Sequence, residues 1–140
     1  MRGVTLARWA WLVIGLFLPM RGFADEVLFT VVQVDSLQSV QPSDGFQLTT
    51  LAQTPEVNIR VNRLTDRIKR HTHPNSHHFL YFIKGQVEIS LGAETRVVGG
   101  GDFVTIPRGT PHAMQRMGES EAVFLDVASP PDIGDVIWHE

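Results

Sequence analysis

Residues 101–112, GDFVTIPRGTPH, form the stretch that decides the fold of this 140-residue chain. The stretch opens on Gly101, passes through a Pro107-Arg108-Gly109 turn and ends on His112. Glycine and proline at such positions are typical of tight turns between short strands. The stretch therefore predicts a fold of strands and turns, and it carries a histidine that is able to bind a metal ion.

Further short strands are predicted on both sides of this stretch. Residues 57–62 and 86–91 alternate apolar and polar side chains with a period of two, which is the pattern of a half-buried strand. Residues 27–34 and 122–127 are apolar runs rich in β-branched residues and are further candidates. Outside the first 24 residues, no stretch keeps a helical period for ten residues. The sequence predicts one all-β domain, a sandwich or a barrel, over residues 25–140.

The first 24 residues have the features of a cleavable signal peptide. Arg2 and Arg8 give a positively charged start before an uncharged run at residues 9–18. Pro19 ends the run, and Gly22-Phe23-Ala24 places small residues before a cleavage site. A membrane anchor and a buried helix are the alternatives, but a spanning helix needs about 20 apolar residues and this run has ten. The sequence predicts export to the periplasm or full secretion, with no stable membrane anchor after cleavage.

Composition and charge exclude several classes of protein. A hydrophobic share of 43% is too high for a disordered chain, and the absence of cysteine excludes disulfides, thiolate metal sites and a cysteine nucleophile. The formal net charge of the whole chain is −3. Removal of residues 1–24 takes away three of the 12 basic residues and none of the 15 acidic ones, which leaves 116 residues with a net charge of −6. An acidic domain of this kind is not expected to bind nucleic acid.

Four of the six histidines lie within eight residues, at His71, His73, His77 and His78. In a strand, positions i and i+2 point to the same face, so His71 and His73 are able to reach one metal ion. Imidazole binds Fe, Mn, Ni, Zn and Cu, and the spacing does not choose among these divalent transition metals. A solvated, histidine-rich turn is the alternative interpretation. His112, in its own patterned segment, favours a metal site over such a turn.

The two histidine-containing segments resemble the two motifs of the cupin superfamily. The first motif runs Gly, five residues, His-x-His, three or four residues, Glu, six residues, Gly, and it falls in order on Thr65, His71, His73, His78 and Gly85. The second runs Gly, five residues, Pro-x-Gly, two residues, His, three residues, Asn, and it falls on Gly101, Pro107, Gly109, His112 and Arg116. The departures are Thr65 for Gly, His78 for Glu and Arg116 for Asn.

The resemblance implies a small barrel of two facing sheets, a double-stranded β-helix or jelly roll, with a divalent transition metal in its mouth. It implies as ligands His71, His73, His112 and the residue at the glutamate position. His78 satisfies the spacing to Gly85 and is expected to be the fourth ligand.

Three alternatives to His78 stay open. In the first, the metal has only three histidine ligands. In the second, His77 is the fourth ligand, and in the third the carboxylate of Glu88 is. His77 is expected to point away as a turn residue, and Glu88 alternates with apolar neighbours and belongs to the outer face of its strand. Four neutral imidazoles leave the charge of a divalent ion uncompensated, so we expect a strong Lewis acid that favours anionic ligands.

Other residues are weaker candidates for binding a small-molecule ligand. Lys69 shares the face of His71 and His73 if residues 67–73 form a regular strand, and a solvated charge is the alternative. Arg60 either lines the cavity or faces water. Phe82 lies on the strand face of His78, in the apolar lining of the barrel.

The strand at residues 78–83 is apolar on both faces. Its outer face carries Phe79, Tyr81 and Ile83, and an apolar outer face needs cover. This pattern predicts a homodimer formed through that face. Arg116 is expected at the surface or in a subunit contact.

Two classes of function follow. The resemblance implies a metal-dependent dioxygenase, isomerase or lyase that acts on a small, often anionic molecule. In the dioxygenase version the metal is Fe(II), the histidines serve only as ligands, and no general base is visible beyond Tyr81, which lies on the wrong face. The second class is a non-catalytic periplasmic protein that binds a metal or a small ligand, or a sensor. A chance resemblance without a metal is the third possibility.

Overall fold

The computed structural model of the chain describes residues 31–37 and 45–140. The predicted signal peptide lies outside these residues, and so does the first half of the strand predicted at residues 27–34. The last residues of that stretch are described, and Val34–Ser36 form a 3-10 turn instead of a strand. Within the described ranges, no helix has the length and apolar character that a membrane crossing requires.

Ten strands make up the regular structure of residues 45–140. The strand β5 shows why they form, because Val87 and Ile89 are buried while Gln86 and Glu88 are exposed, as the period of two predicts. The strand predicted at residues 86–91 is confirmed in full, and the strands predicted at 57–62 and 122–127 correspond to β2 and β9. In chain order the strands are β1 (Phe46–Gln53), β2 (Asn58–Leu64), β3 (Arg67–Thr72), β4 (His77–Lys84), β5 (Gln86–Leu91), β6 (Glu94–Gly99), β7 (Phe103–Ile106), β8 (His112–Met117), β9 (Ala122–Ser129) and β10 (Ile137–Trp138).

The strands form two five-stranded antiparallel sheets. The first sheet has the order β1-β2-β9-β4-β7, and the second has the order β10-β3-β8-β5-β6. From β3 onwards the chain passes from one sheet to the other at nearly every connection, and only β5 and β6 form a hairpin within one sheet. This winding is that of a jelly roll, so the predicted all-β barrel is confirmed.

The hydrophobic core lies between the two sheets. Phe82 of β4 and Phe124 of β9 are fully buried, and their ring centroids lie 5.0 Å apart. Val87 of the second sheet belongs to the same cluster. The core therefore joins the two sheets into one barrel and fixes the strands that carry the histidines.

Gly85, which ends the first motif, sits where the turn between β4 and β5 approaches the start of β9. Its φ of +78° lies in the region that favours glycine, and a Cβ at this position would lie 2.6 Å from the Ala122 Cα atom. Only glycine fits this close approach without a shift of the backbone.

Candidate metal centre and pocket

The four histidines singled out by the motif spacing meet in the space between the sheets. His71 of β3 and His112 of β8 are cross-strand partners, and their ring centroids lie 4.1 Å apart. His73 follows the end of β3. His78 reaches in from β4 of the other sheet, with its ring centroid 4.2 Å from that of His73. All four side chains are buried and line one pocket.

Backbone carbonyls orient three of these imidazoles through hydrogen bonds at Nδ1. Because a carbonyl oxygen can only accept, the proton must sit on Nδ1, and the lone pair on Nε2 stays free. The donor–acceptor pairs are His71 Nδ1 to the Lys69 carbonyl at 2.8 Å, His73 Nδ1 to the Asp135 carbonyl at 2.6 Å, and His112 Nδ1 to the Thr110 carbonyl at 2.9 Å.

His78 is oriented by a carboxylate instead. Its Nδ1 donates to the Asp126 Oδ1 atom at 2.9 Å, and its Nε2 is buried without a hydrogen bond. A buried polar nitrogen without a partner is costly unless a further group uses it. The ligand atoms of His71, His73 and His112 lie within 4.8 Å of one another. This set of neutral nitrogen donors fits a divalent transition metal.

Burial keeps three of these imidazoles neutral, which is the form that binds a metal. Burial lowers the pKa of His71 to about 4 and the pKa of His112 to about 3, in spite of the backbone hydrogen bonds that raise both. The pKa of His73 is also lowered, first by burial and then by the neighbouring His78. These three rings therefore have free Nε2 lone pairs at neutral pH.

A buried ionic cluster lies beside His78. Arg60 of β2 and Asp126 of β9 are cross-strand partners, and the Arg60 Nη2 atom lies 2.6 Å from the Asp126 Oδ2 atom. The same Nη2 atom lies 2.7 Å from Oδ2 of Asp132, in the segment that follows β9. Asn58 Nδ2 donates to the other Asp132 oxygen at 3.2 Å. One guanidinium thus holds two carboxylates, and one of these also orients His78.

The charges of this cluster correct an expectation from the sequence. Burial alone would raise the pKa of Asp126, but the hydrogen bond from His78 and the adjacent Arg60 outweigh it and lower that pKa. With neutral imidazoles, one guanidinium and two carboxylates give a net charge of −1. The expectation of an uncompensated divalent charge is therefore wrong, because it left out Asp126 and Asp132. A bound divalent ion would bring the whole group from −1 to +1.

The pocket has a cavity volume of about 300 Å³. Asn58, Arg60 and Asn62, at alternate positions of β2, form its polar wall. Trp138 of β10 lies near the metal site, with its ring centroid 4.9 Å from that of His71, and it stays half exposed. Apolar side chains from both sheets form the rest of the lining, among them Phe46, Ile68, Leu80, Ile106 and Met114.

Lys69 lies outside this pocket. The pairing of β3 with β8 shifts register between Ile68 and His71, so the two residues between them do not follow regular alternation. Ile68 and His71 both face inward as a result, and Lys69 is exposed. The prediction that Lys69 shares the face of the ligands is wrong because it assumed a regular strand.

The structure also shows where the four remaining candidates lie. Phe82 is fully buried in the hydrophobic core and does not line the pocket, so its suggested contact with a ligand is wrong. His77 also lies outside the pocket, where its Nε2 accepts a hydrogen bond from Arg108 Nε at 3.0 Å. Glu88 is exposed on β5. Arg60 faces inward, but both carboxylates already pair with it.

The sequence reasoning missed the acidic side of the site. Asp126 is the one charged residue in the apolar run of residues 122–127, and this lone acid was a usable signal. Asp132 follows two prolines in a turn, where no periodicity indicates its direction. For Asn58 and Asn62 the alternation was visible, but one strand does not show which of its faces is inward.

Two antiparallel sheets wound as a jelly roll around buried histidines define a small β-barrel of the cupin type. Residues 62–128 match the family model described as a cupin domain, Cupin_2. The match covers 67 of the 140 residues and supports placing the chain in the cupin superfamily.

Among curated proteins, the chain is similar to polyketide synthase CurC of Streptomyces cyaneus, at 30% identity over 82 residues that cover 56% of this chain and 53% of CurC. The chain thus spans about half the length of that relative.

Two solved structures are also similar. KdgF from Halomonas sp. is 26% identical, with 66% of this chain and 85% of KdgF covered and a TM-score of 0.59. An uncharacterized protein with a double-stranded β-helix domain from Klebsiella pneumoniae is 21% identical, with 81% and 99% covered and a TM-score of 0.69. The second likeness shows the fold alone.

Proposed function

We propose that the protein is an exported, metal-dependent cupin enzyme of the dioxygenase kind, which acts on a small molecule held in the pocket. The observation that carries the proposal is the set of four buried histidines whose Nδ1 atoms are all hydrogen-bonded. Within the described residues, none of their Nε2 atoms takes part in a hydrogen bond. The His78 Nε2 atom is fully buried without a partner, and a bound metal would remove the cost of that unpaired nitrogen.

The residues divide the work between holding a metal and holding a substrate. His71, His73, His78 and His112 would hold the ion, which would supply Lewis acidity and, as Fe(II), redox chemistry. Fe, Mn, Ni, Zn and Cu all fit imidazole donors. The buried position of the rings limits the access of water, and the apolar lining holds the body of the substrate beside the ion.

A substrate with an apolar body and oxygen substituents suits a pocket whose lining is apolar beside the histidines. Arg60 is the one basic side chain among the described residues that line the pocket, and two carboxylates already pair with it. Polyanionic compounds therefore find no free cationic side chain. CurC is named for polyketide synthesis, and compounds of that class carry repeated oxygen substituents. Diketones, catechols and flavonoids share this chemistry and are the compounds to test.

Metal analysis and oxygen uptake test the proposal together. The exported protein, purified without a His tag, is expected to contain stoichiometric transition metal, and His112→Ala is expected to lose it. His77→Ala removes a histidine outside the pocket and is the matched control, expected to keep the metal. Oxygen uptake is then measured with a diketone, a catechol and a flavonoid. Wild-type protein without metal contradicts the proposal, and metal without uptake indicates a non-catalytic binding protein or sensor instead.

Export rests on the sequence alone. The charged start, the apolar run and the small residues before Asp25 are its support. N-terminal sequencing of protein recovered from the periplasm or the medium is expected to begin at Asp25. Recovery of exported chains that still begin with Met1 would contradict cleavage.

We also propose a homodimer formed through the outer face of β4 and β7. Tyr81 and Phe103 are cross-strand partners that are 47% and 62% exposed, and Ile83 continues the apolar surface. Adjacent exposed side chains of this size are typical of an interface. Light scattering at micromolar concentration is expected to give twice the mass of one chain, and Phe103→Ser is expected to give monomers. A monomeric wild-type protein contradicts the homodimer.

A further inference from the structure

Asp132 lies close to the histidines although neither motif contains it. Its Oδ2 atom is 3.8 Å from the unpaired His78 Nε2 atom, and it is 4.0 Å from the His73 Nδ1 atom, which carries the proton of that ring. Two ligands of one ion, each with a bond of about 2.0–2.2 Å, lie at most about 4.4 Å apart. The separation between Asp132 Oδ2 and His78 Nε2 therefore fits two ligands of the same ion.

The position of Asp132 does not depend on a metal. Its two oxygens are held by Arg60 Nη2 at 2.7 Å and Asn58 Nδ2 at 3.2 Å, and its side chain is 4% exposed. The same segment is anchored a second time, because the Asp135 carboxylate accepts hydrogen bonds from the Asn75 backbone and side chain. The carboxylate is thus ordered in advance beside His78.

The charge of a divalent ion favours an anionic ligand such as the Asp132 carboxylate. The motif position that resembles a glutamate holds His78, so the motif supplies four neutral donors. A carboxylate in contact with a divalent ion neutralises one unit of its charge. Asp132 forms a group with His73 and His78 whose candidate ligand atoms all lie within 4.8 Å of one another.

We infer that Asp132 is a carboxylate ligand of the metal centre and that it replaces the missing motif glutamate from outside the motif. The inference rests on the proposed metal site and deepens it. In a purely structural role, Asp132 would serve only as the second partner of Arg60.

A cobalt titration separates these two roles without any measurement of activity. Co²⁺ affinity is measured by competition with a chelator, and the visible absorption of the bound ion reports its ligands. Asp132→Asn is expected to weaken Co²⁺ binding by at least the roughly 10–100-fold that the loss of an outer-shell partner costs. The visible spectrum is expected to change as well, because a ligand is replaced, and this change is the result that a purely structural role would not give. In the double variant His78→Glu/Asp132→Asn, which returns a carboxylate to the motif position, affinity is expected to recover.

Glu121→Gln is the matched control. Glu121 pairs with Arg63 at 2.7 Å, so its loss also leaves a buried arginine of β2 with one carboxylate fewer, but away from the pocket. This variant is expected to lose stability while its Co²⁺ affinity and spectrum stay those of the wild type. Wild-type affinity and spectrum in Asp132→Asn, or no recovery in the double variant, would overturn the inference while the proposed function stands. If the wild-type protein binds no Co²⁺, both fall.

Discussion

The histidine side and the acidic side of the pocket are held in place by different kinds of contact. His71 and His112 donate to the backbone carbonyls of Lys69 and Thr110, each two residues earlier in the chain. On the acidic side, the contacts are between side chains, and the two partners of the Arg60–Asp126 pair lie 66 residues apart. The histidine side is held mainly by backbone carbonyls, which are local for His71 and His112 and distant for His73, whereas the acidic side is held by long-range ion pairs.

This difference predicts how substitutions on each side affect the protein. A backbone carbonyl survives any side-chain substitution, so each of these imidazoles keeps its orientation independently of its neighbours. The ion pairs form a closed group, so the loss of one member leaves the others buried without compensation. We expect variants of the histidine side to affect mainly metal binding, and variants of the acidic side to affect the stability of the barrel or, at Asp126 and Asp132, metal binding.

Arg60→Met is the variant with the largest expected effect on stability. It leaves Asp126 and Asp132 buried with like charges and no cation, and the free energy of unfolding is expected to fall by about 3–5 kcal/mol. Urea unfolding of the metal-free protein measures this change. Restoration of stability in the double variant Arg60→Met/Asp126→Asn, relative to Arg60→Met alone, would confirm its electrostatic origin. A loss of less than about 1 kcal/mol in Arg60→Met would show that Asp126 and Asp132 do not depend on Arg60 for charge compensation.

His112→Ala is expected to have a small effect on stability and a large effect on metal binding. Within the described residues, its ring makes one hydrogen bond, at Nδ1, and its Nε2 has no partner to leave behind. The free energy of unfolding of the metal-free protein is therefore expected to change by only about 1–2 kcal/mol, while the bound metal is lost. Urea unfolding after treatment with a chelator, combined with elemental analysis, measures both. A stability loss as large as that of Arg60→Met would contradict the division between the two sides.

The same difference explains how much of the site could be read from the sequence. His71, His73, His78 and His112 stand at fixed spacings because each lies on a strand or directly after one, and this placement leaves a local pattern. The groups that orient His73 and His78, which are Asp135 and Asp126, lie far along the chain and leave no such pattern. The acidic side leaves none, because Arg60 and Asp126 meet only after β2 and β9 pair. The jelly roll itself was predictable from alternation and turns. The register shift that turns Lys69 outward was not, since it depends on how β3 pairs with β8.

Asp126→Asn tests the point where the two sides meet. The amide that replaces the carboxylate would keep an oxygen able to accept from His78 Nδ1, and Arg60 would keep Asp132 as its partner, so the barrel is expected to stay folded. The weaker acceptor makes His78 a poorer ligand, and Co²⁺ affinity is expected to fall by about tenfold. Competition with a chelator measures the affinity. An affinity equal to that of the wild type would show that His78 is not a ligand, which favours the site of three histidines.

Trp138→Ala has the smallest expected effect and is the most direct test of whether the backbone carbonyl alone orients His71. The indole packs against the His71 ring but is half exposed. Its removal is expected to cost about 1 kcal/mol of stability or less, because little buried apolar area is lost. The hydrogen bond from His71 Nδ1 to the Lys69 carbonyl remains, so Co²⁺ affinity is expected to stay that of the wild type, while an aromatic substrate binds less tightly. If Co²⁺ affinity instead falls as far as in Asp126→Asn, then the carbonyl is not sufficient. The histidine side would then depend on side-chain packing, as the acidic side does.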